Sequence, residues 1–174
     1  MKRYYETERL ILRSPIPTDA PDISKVRNSD FVQRYNLYTD SSTEDVLAEL
    51  ERYDLVILLE KHTGRFLGLI HIKEDYIRYH VDSMELAGWL DMSVAKQGFM
   101  SEALRGLIPN LFNEGIARLT ARVFSDNLAS VRLMESIGFV REGYLREAVK
   151  NSSGEIFDMI LFSVTEEEFK KRVG

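Results

Sequence analysis

The sequence predicts a mixed α/β fold: one domain in which a central mixed β-sheet is flanked by helices. Three observations predict it. Strand-like and helix-like segments follow one another in the order β, helices, ββ, β, α, β, α, ββ, which suits helices packed on a sheet. Residues 98–114 carry the strongest helical periodicity and stand between two strand-like runs. No internal repeat, low-complexity tract or linker interrupts the 174 residues, a length that suffices for one domain, 1–174, with a proper core.

Each element has its own justification. RLILRSP (9–15) alternates as a first strand, and Pro15 and Pro17 end it. The stretch to about residue 53 reads as short helices. The clearest is 42–53, with Val46, Leu47 and Leu50 on one face and Ser41 and Glu44 spaced as a capping box. DLVILLEK (54–61), the turn HTGR and FLGLIHIK (66–73) read as a β-hairpin, with Gly64 free to take a positive φ. A polar, Tyr-containing connection leads to MELAGWLDMS (84–93), another strand. In 98–114, Met100, Ala103, Leu104, Leu107, Ile108, Leu111 and Phe112 form one apolar stripe, and Gly115 suits the C-terminus. Pro109 should kink that helix, since it removes a backbone donor. ARLTARVF (117–124) is a strand. NLASVRLMESIG (127–138) is a short helix with Asn127 and Gly138 as its caps. Residues 139–150, the turn NSSGE and 156–164 make a final antiparallel pair. TEEEFKKR closes the chain as a helix, acidic first and basic last as the macrodipole favours.

Composition narrows the function. With 44% hydrophobic and 29% charged residues the chain is ordinary globular protein. No apolar run approaches the roughly 20 residues of a membrane helix, and MKRYYETERL has no apolar stretch behind its basic residues, so it is no secretory signal. The expectation is a cytoplasmic protein with no membrane partner. The absence of cysteine excludes disulfides and a thiolate nucleophile. His62, His71 and His80 lack metal-ligand spacing, so no metal site is expected. A net charge of −5 argues against nucleic acid as a partner and suits a cationic, amine-bearing substrate.

Two stretches carry chemistry. In VAKQGFMSEAL (94–104) a strand ends, a glycine permits an unusual turn, and a helix begins. The first helical turn offers unpaired N–H groups and the positive dipole end, where an anion can sit. Gly98 would let backbone approach it closely, and Lys96 could add a charge. The alternative is an ordinary loop before a core-packing helix. In SDNLASVRLMESIGFVREG (125–143), Asn127 begins a helix and Ser130 lies one turn on. Capping explains both residues. An amide-bearing ligand at Asn127 and a proton relayed by Ser130 explain them too.

Together, and in this order, the stretches resemble the GNAT acetyltransferases, in particular the branch that includes the ribosomal-protein alanine N-acetyltransferases. TERLILR resembles that branch's opening strand, ELAGWLD its ELGYWL strand, and KQGFMSEAL its GKGYATEAL turn. NLASVRLMESIGFVREGYLREA is similar to its N-x-x-S-x-x-x-x-E-K-x-G-F-x-x-E-G signature almost throughout, and GEIFDMILFSV resembles its final strand.

The resemblance implies the GNAT (acyl-CoA N-acyltransferase) fold, with a sheet splayed between its fourth and fifth strands. It also implies acetyl transfer from acetyl-CoA to an amine by direct attack. The CoA pyrophosphate would rest on the N–H groups of Gln97, Gly98, Phe99, Met100 and Ser101, with Lys96 beside it. The pantetheine arm would pair with Leu90, Asp91 and Met92, with Asn127 on the arm and Ser130 near the sulfur. A tyrosine that protonates the leaving thiolate in many relatives is Met134 here, so that role passes to Ser130. Glu85 is the candidate general base; its alternative is a solvent-facing strand residue. A backbone N–H near Leu90 or Asp91 would steady the oxyanion.

This sequence also departs from the family. Gly88 replaces a tyrosine, Lys96 a common glycine, and Met100 a small residue, and that methionine should crowd the phosphate turn. Trp89 and Phe139 are expected in the core. Tyr76, Tyr79 and His80 would line an acceptor pocket or merely form a polar loop. Arg13, Arg27 and Tyr35 lie in regions that shape the acceptor site in relatives. The acceptor expected is a protein N-terminus or a small amine, and a homodimer is compatible. The rivals are a GNAT-fold module that binds acyl-CoA without turnover and a nucleotide-sugar N-acetyltransferase.

Overall fold

The computed structural model describes residues 3–35, 37, 40–151 and 153–173. An eight-stranded sheet organises them in the order β1-β2-β3-β4-β5-β6-β8-β7. The strands are β1 (Tyr4–Glu6), β2 (Leu10–Arg13), β3 (Asp54–Glu60), β4 (Phe66–Glu74), β5 (Ser83–Leu90), β6 (Arg118–Phe124), β7 (Val140–Lys150) and β8 (Ile156–Thr165). The helices are α1 (Ala20–Arg27), α2 (Asp30–Gln33), α3 (Thr43–Leu50), α4 (Phe99–Asn113), α5 (Leu128–Ile137) and α6 (Glu166–Val173). All strand neighbours are antiparallel except β5 and β6, so the sheet is mixed as expected.

Side-chain alternation sends the sheet's apolar residues to two cores. On one face Leu10, Leu12, Val56, Leu58, Ile70 and Leu86 pack under the α4 stripe and under Val131, Met134 and Ile137 of α5. On the other, Leu55, Ile57 and Leu69 pack against Ala20, Ile23 and Val26 of α1 and Val46 of α3. Phe139 is buried in the first core, and Trp89 lies against the second, 6.0 Å from the Phe66 ring.

The sequence reading needs three corrections. β1 is a strand beyond those read from the sequence: it is three residues long, and it exists because the Thr7–Leu10 turn folds it back on β2. The capping box is Ser42 with Asp45: Ser42 Oγ accepts the Asp45 N–H at 3.1 Å, and the Ser42 N–H donates to Asp45 at 2.8 Å. Ser41 is instead buried between α1 and α3, its N–H donating to Asn28. Finally, β5 ends at Leu90, so 91–93 are not strand: Met92–Val94 is a 3₁₀ turn capped by Asp91. Of the residues expected in short helices, 36, 38 and 39 lie outside the described residues, as does Ser152 of the last turn.

Candidate functional site

β5 and β6 run side by side for three residues only, from Ser83↔Arg118 to Glu85↔Thr120. β5 then continues to Leu90 and β6 to Phe124 without pairing, and this is the splay. On its other side β5 stays in register with β4 up to Gly68↔Leu90.

Two hydrogen bonds fix which main-chain groups look into the splay. The Asp91 N–H donates to the Leu67 carbonyl at 2.7 Å, and the Asp75 N–H to the Ser83 carbonyl at 3.4 Å. Hydrogen-bonded pairs recur every second residue in an antiparallel ladder. The odd-numbered residues of β5 therefore turn their main-chain groups to β4, and Met84, Leu86, Gly88 and Leu90 turn theirs to β6. The Met84 carbonyl accordingly accepts the Thr120 hydroxyl at 3.4 Å. Beyond Leu86 that edge has no neighbour among the described residues, so the Leu86 C=O and the N–H and C=O groups of Gly88 and Leu90 face the cleft. Asp91, expected as an oxyanion donor and arm contact, has its N–H committed to Leu67. Its carboxylate accepts the Ser93 N–H at 2.7 Å and the Ser93 hydroxyl, which holds its pKa below the usual range. Met92 sits in the 3₁₀ turn with an exposed side chain.

The free edge leads to the N-terminus of α4. Lys96 takes φ +61° and Gly98 φ +82°, both left-handed, and such turns point successive N–H groups into one concavity. The first helical bond of α4 is Glu102 N–H to the Gly98 carbonyl, 2.9 Å. The N–H groups of Phe99, Met100 and Ser101 thus have no intrahelical acceptor. The Phe99 side chain is buried, while Lys96 and Gln97 are exposed. The Met100 side chain does not lie in the turn: it packs on the core beside Gly88. The expected crowding is thereby corrected, because Met100 and Gly88 exchange bulk across the helix–strand contact.

The turn is held from behind by residues that sequence reasoning left unassigned. Glu102 accepts the Thr7 hydroxyl at 2.5 Å, the Arg9 N–H at 2.8 Å and the Arg9 Nε at 2.6 Å. Burial pushes the Glu102 carboxyl up, but these bonds outweigh it and leave the pKa lowered. Thr7, Arg9 and Glu102 all stand in the quoted motifs, yet 93 residues separate Arg9 from Glu102, which hides their contact.

At the far wall of the splay, Asn127 caps α5: its Oδ1 accepts the Ser130 N–H at 3.2 Å, leaving its Nδ2 hydrogens to other partners. Ser130 is half-buried, and Met134 is buried one turn on. Glu85 stands at the fork. It is only 7% exposed, which corrects the solvent-facing alternative, and its carboxylate accepts Arg122 Nη2 at 2.5 Å across the parting strands. Tyr35 lies on the β6 end of the same face: its ring is 5.4 Å from Phe124, and its hydroxyl donates to Asp126 at 3.4 Å. Arg13 pairs with Asp19 and Arg27 with Glu49, within the packing of that face. Tyr76 and Tyr79 are exposed on a loop that Arg78 ties to Asp75 and Glu142.

An open strand edge at a parallel fork, ending at an anion-receptive helix start, is the arrangement expected from the motifs. The acetyltransferase (GNAT) domain profile matches residues 9–140. The chain belongs to the GNAT family. It is 28% identical over 179 residues to the N-acetyltransferase YoaA of Bacillus subtilis, covering 91% of this chain and 94% of that one. A GNAT-family acetyltransferase from Bacillus anthracis superposes with a TM-score of 0.84 at 21% identity, over 95% of this chain and all 100% of that one. The ribosomal-protein-S5-alanine acetyltransferase of Vibrio fischeri superposes with a TM-score of 0.82 at 20% identity, over 96% and 98%. This GNAT chain is thus an N-acetyltransferase, and its family uses acetyl-CoA. Among the described residues no helix is long and apolar enough to cross a membrane.

Proposed function

We propose that the chain transfers the acetyl group of acetyl-CoA to a primary amine, a protein N-terminus or a small amine, by direct attack. The observation that carries this is the open edge of Leu86, Gly88 and Leu90 running toward the turn at Gly98. From Leu86 to Leu90 the edge spans about 13 Å, a length over which an extended chain can add as a strand. The donor's pantetheine arm lies there. Its pyrophosphate rests on the N–H groups of Gln97 to Ser101, with Lys96 at the rim. The thioester supplies the activated acyl group; this chain's residues orient it and move the protons.

The amine enters from the face of α1, α3 and Tyr35. Glu85, directly or through one water, removes a proton from the ammonium group. The free amine attacks the thioester carbonyl. The resulting oxyanion takes a hydrogen bond from a β5 N–H that faces the cleft, at Leu90 or Gly88. Collapse expels the CoA thiolate, which takes its proton from Ser130, and the proton shed by the new amide nitrogen returns to the Ser130 oxygen. The likeness to the S5-alanine acetyltransferase favours a protein N-terminus as acceptor.

A second reading, binding of acyl-CoA without turnover, draws on two features: Arg122 holds Glu85, and Met134 stands where relatives carry tyrosine. One assay separates them. The chain contains no cysteine, so free CoA thiol can be read directly with a thiol reagent. Peptides beginning with alanine or serine, and a panel of small amines, are offered with acetyl-CoA while binding is followed by calorimetry. Thiol release that depends on the amine and falls in Ser130→Ala supports transfer. Saturable binding with no release from any amine favours the binding module. No binding at millimolar acetyl-CoA overturns both.

A further inference from the structure

We propose that Arg9 is a binding residue for the pyrophosphate of the acyl-CoA donor, supplied to the turn by the β1–β2 connection. This rests on the acetyl-CoA reading above.

The guanidinium of Arg9 is fixed on three sides. Its Nε donates to Glu102 at 2.6 Å, Nη1 donates to the Gln97 carbonyl at 3.1 Å, and its Cζ lies 4.3 Å from the centre of the Phe99 ring. Its main chain is fixed as well: the N–H donates to Glu102 at 2.8 Å, and the carbonyl accepts the Lys61 N–H at 2.8 Å. The remaining nitrogen, Nη2, donates to none of the described residues. It lies 3.5 Å from where a Cβ on Gly98 would stand. A cation is therefore held beside the left-handed glycine that opens the N–H concavity.

A structural clasp would need the bonds to Glu102 and Gln97 and the stacking on Phe99. It would not need a charged donor left over at the turn. The fork geometry of arginine lets one edge brace protein while the other meets phosphate oxygens. Side-chain entropy is already spent by the three fixed contacts, so the anion does not have to order the residue. Lys96, by contrast, is exposed, and among the described residues its ammonium has no fixing contact.

Calorimetry with two probes tests the assignment: CoA, and S-acetylpantetheine, which lacks the pyrophosphate and nucleotide. Wild type, Arg9→Gln, Arg9→Lys and Thr7→Val are compared. Thr7→Val loosens Glu102 but leaves the cation. The expected result is a loss of tenfold or more in CoA affinity for Arg9→Gln, smaller for Arg9→Lys, and within threefold of wild type for Thr7→Val. Affinity for S-acetylpantetheine should stay within twofold in all four. The Arg9→Gln deficit should also shrink at 0.5 M salt, about five times the 0.1 M at which the Debye length is near 10 Å.

Equal losses on both probes, or equal losses in Arg9→Gln and Thr7→Val, would make Arg9 a brace only and overturn the proposal. Unchanged CoA binding in Arg9→Gln would overturn it outright. If Arg9→Gln does not fold, as judged by circular dichroism, Arg9→Lys against Thr7→Val decides. Failure of wild type to bind CoA would defeat the acetyl-CoA reading itself, a result distinct from the others.

Discussion

The terminal methyl of Met100 lies 3.3 Å from the point a Cβ on Gly88 would occupy. Two departures from the family pattern, a methionine for a small residue and a glycine for a tyrosine, are thus one feature. Bulk has moved from the strand to the helix. Restoring a side chain on the strand alone is blocked, because a Cβ at Gly88 would also meet the Leu69 carbonyl at 2.9 Å.

Met100→Ala should therefore lower stability without tightening CoA. Its side chain is half-buried, so the loss belongs at or below the low end of the 2–5 kcal/mol seen for buried Met→Ala, about 1–2 kcal/mol. Urea unfolding measures it, and calorimetry should give a CoA affinity within twofold of wild type. Tighter CoA binding would mean that Met100 crowds the turn after all.

Asn127 Oδ1 caps α5, and on the proposed function its Nδ2 contacts the donor's arm. Asn127→Asp keeps a good N-cap and removes the donor, whereas Asn127→Ala removes both. The aspartate should be nearly as stable as wild type, with CoA binding weakened about fivefold to tenfold, the worth of one hydrogen bond. The alanine should lose about 1 kcal/mol of stability as well. If the aspartate binds CoA as wild type does, Asn127 is a cap and nothing more.

Glu85 and Arg122 can be separated by cross-substitution. Arg122→Met leaves a 7%-exposed carboxylate without its cation, which should cost about 1–3 kcal/mol. Adding Glu85→Gln should return most of that stability, since the unpaired charge is gone. Activity should not return: a general base contributes about 10²–10⁴-fold, and glutamine cannot accept the proton. Recovery of turnover along with stability in the double variant would reduce Glu85 to a structural partner of Arg122.

Legibility in the sequence followed contact distance. The α4 stripe, the 54–73 hairpin and both caps of α5 were readable because their partners lie within a few residues. β1 was not, since three residues carry no period and pair only through the turn at Thr7. The capping box slipped by one because Ser41 and Ser42 offer alternative registers, and only burial of Ser41 against Asn28 decides between them. The motif residues around Gly98 and Asn127 were visible as types. Which of their atoms are free was not, because that depends on Leu67 taking the Asp91 N–H and on Ser130 taking the Asn127 oxygen. Arg9 and Arg122 act across strands or from the far end of the chain, and no local pattern marks them.

His71 sets a pH limit on the fold beneath this site. It sits on β4 opposite Ala87 of β5, with its ring 5.0 Å from Tyr53. Burial, with help from Lys73 and Arg27 and against Asp54, drops its pKa from 6.5 to about 4. Below pH 6.5 the unfolded chain therefore binds a proton that the folded chain refuses until about pH 4. The unfolded state holds more protons across that window, so stability rises with pH through it and falls as the solution is acidified. With allowance for solvent screening of a half-buried ring, the loss should be about 1–2 kcal/mol by the lower end. His71→Phe keeps the contact with Tyr53 and removes the titration. Urea midpoints measured from pH 7 to pH 4 should drop less steeply in the variant than in wild type, with the gap opening between 6.5 and 4. Carboxylates such as Asp91 and Glu102 titrate below their usual range in both proteins and cancel in the difference. Parallel midpoint curves would show that His71 takes up its proton in the folded protein as readily as in the unfolded chain.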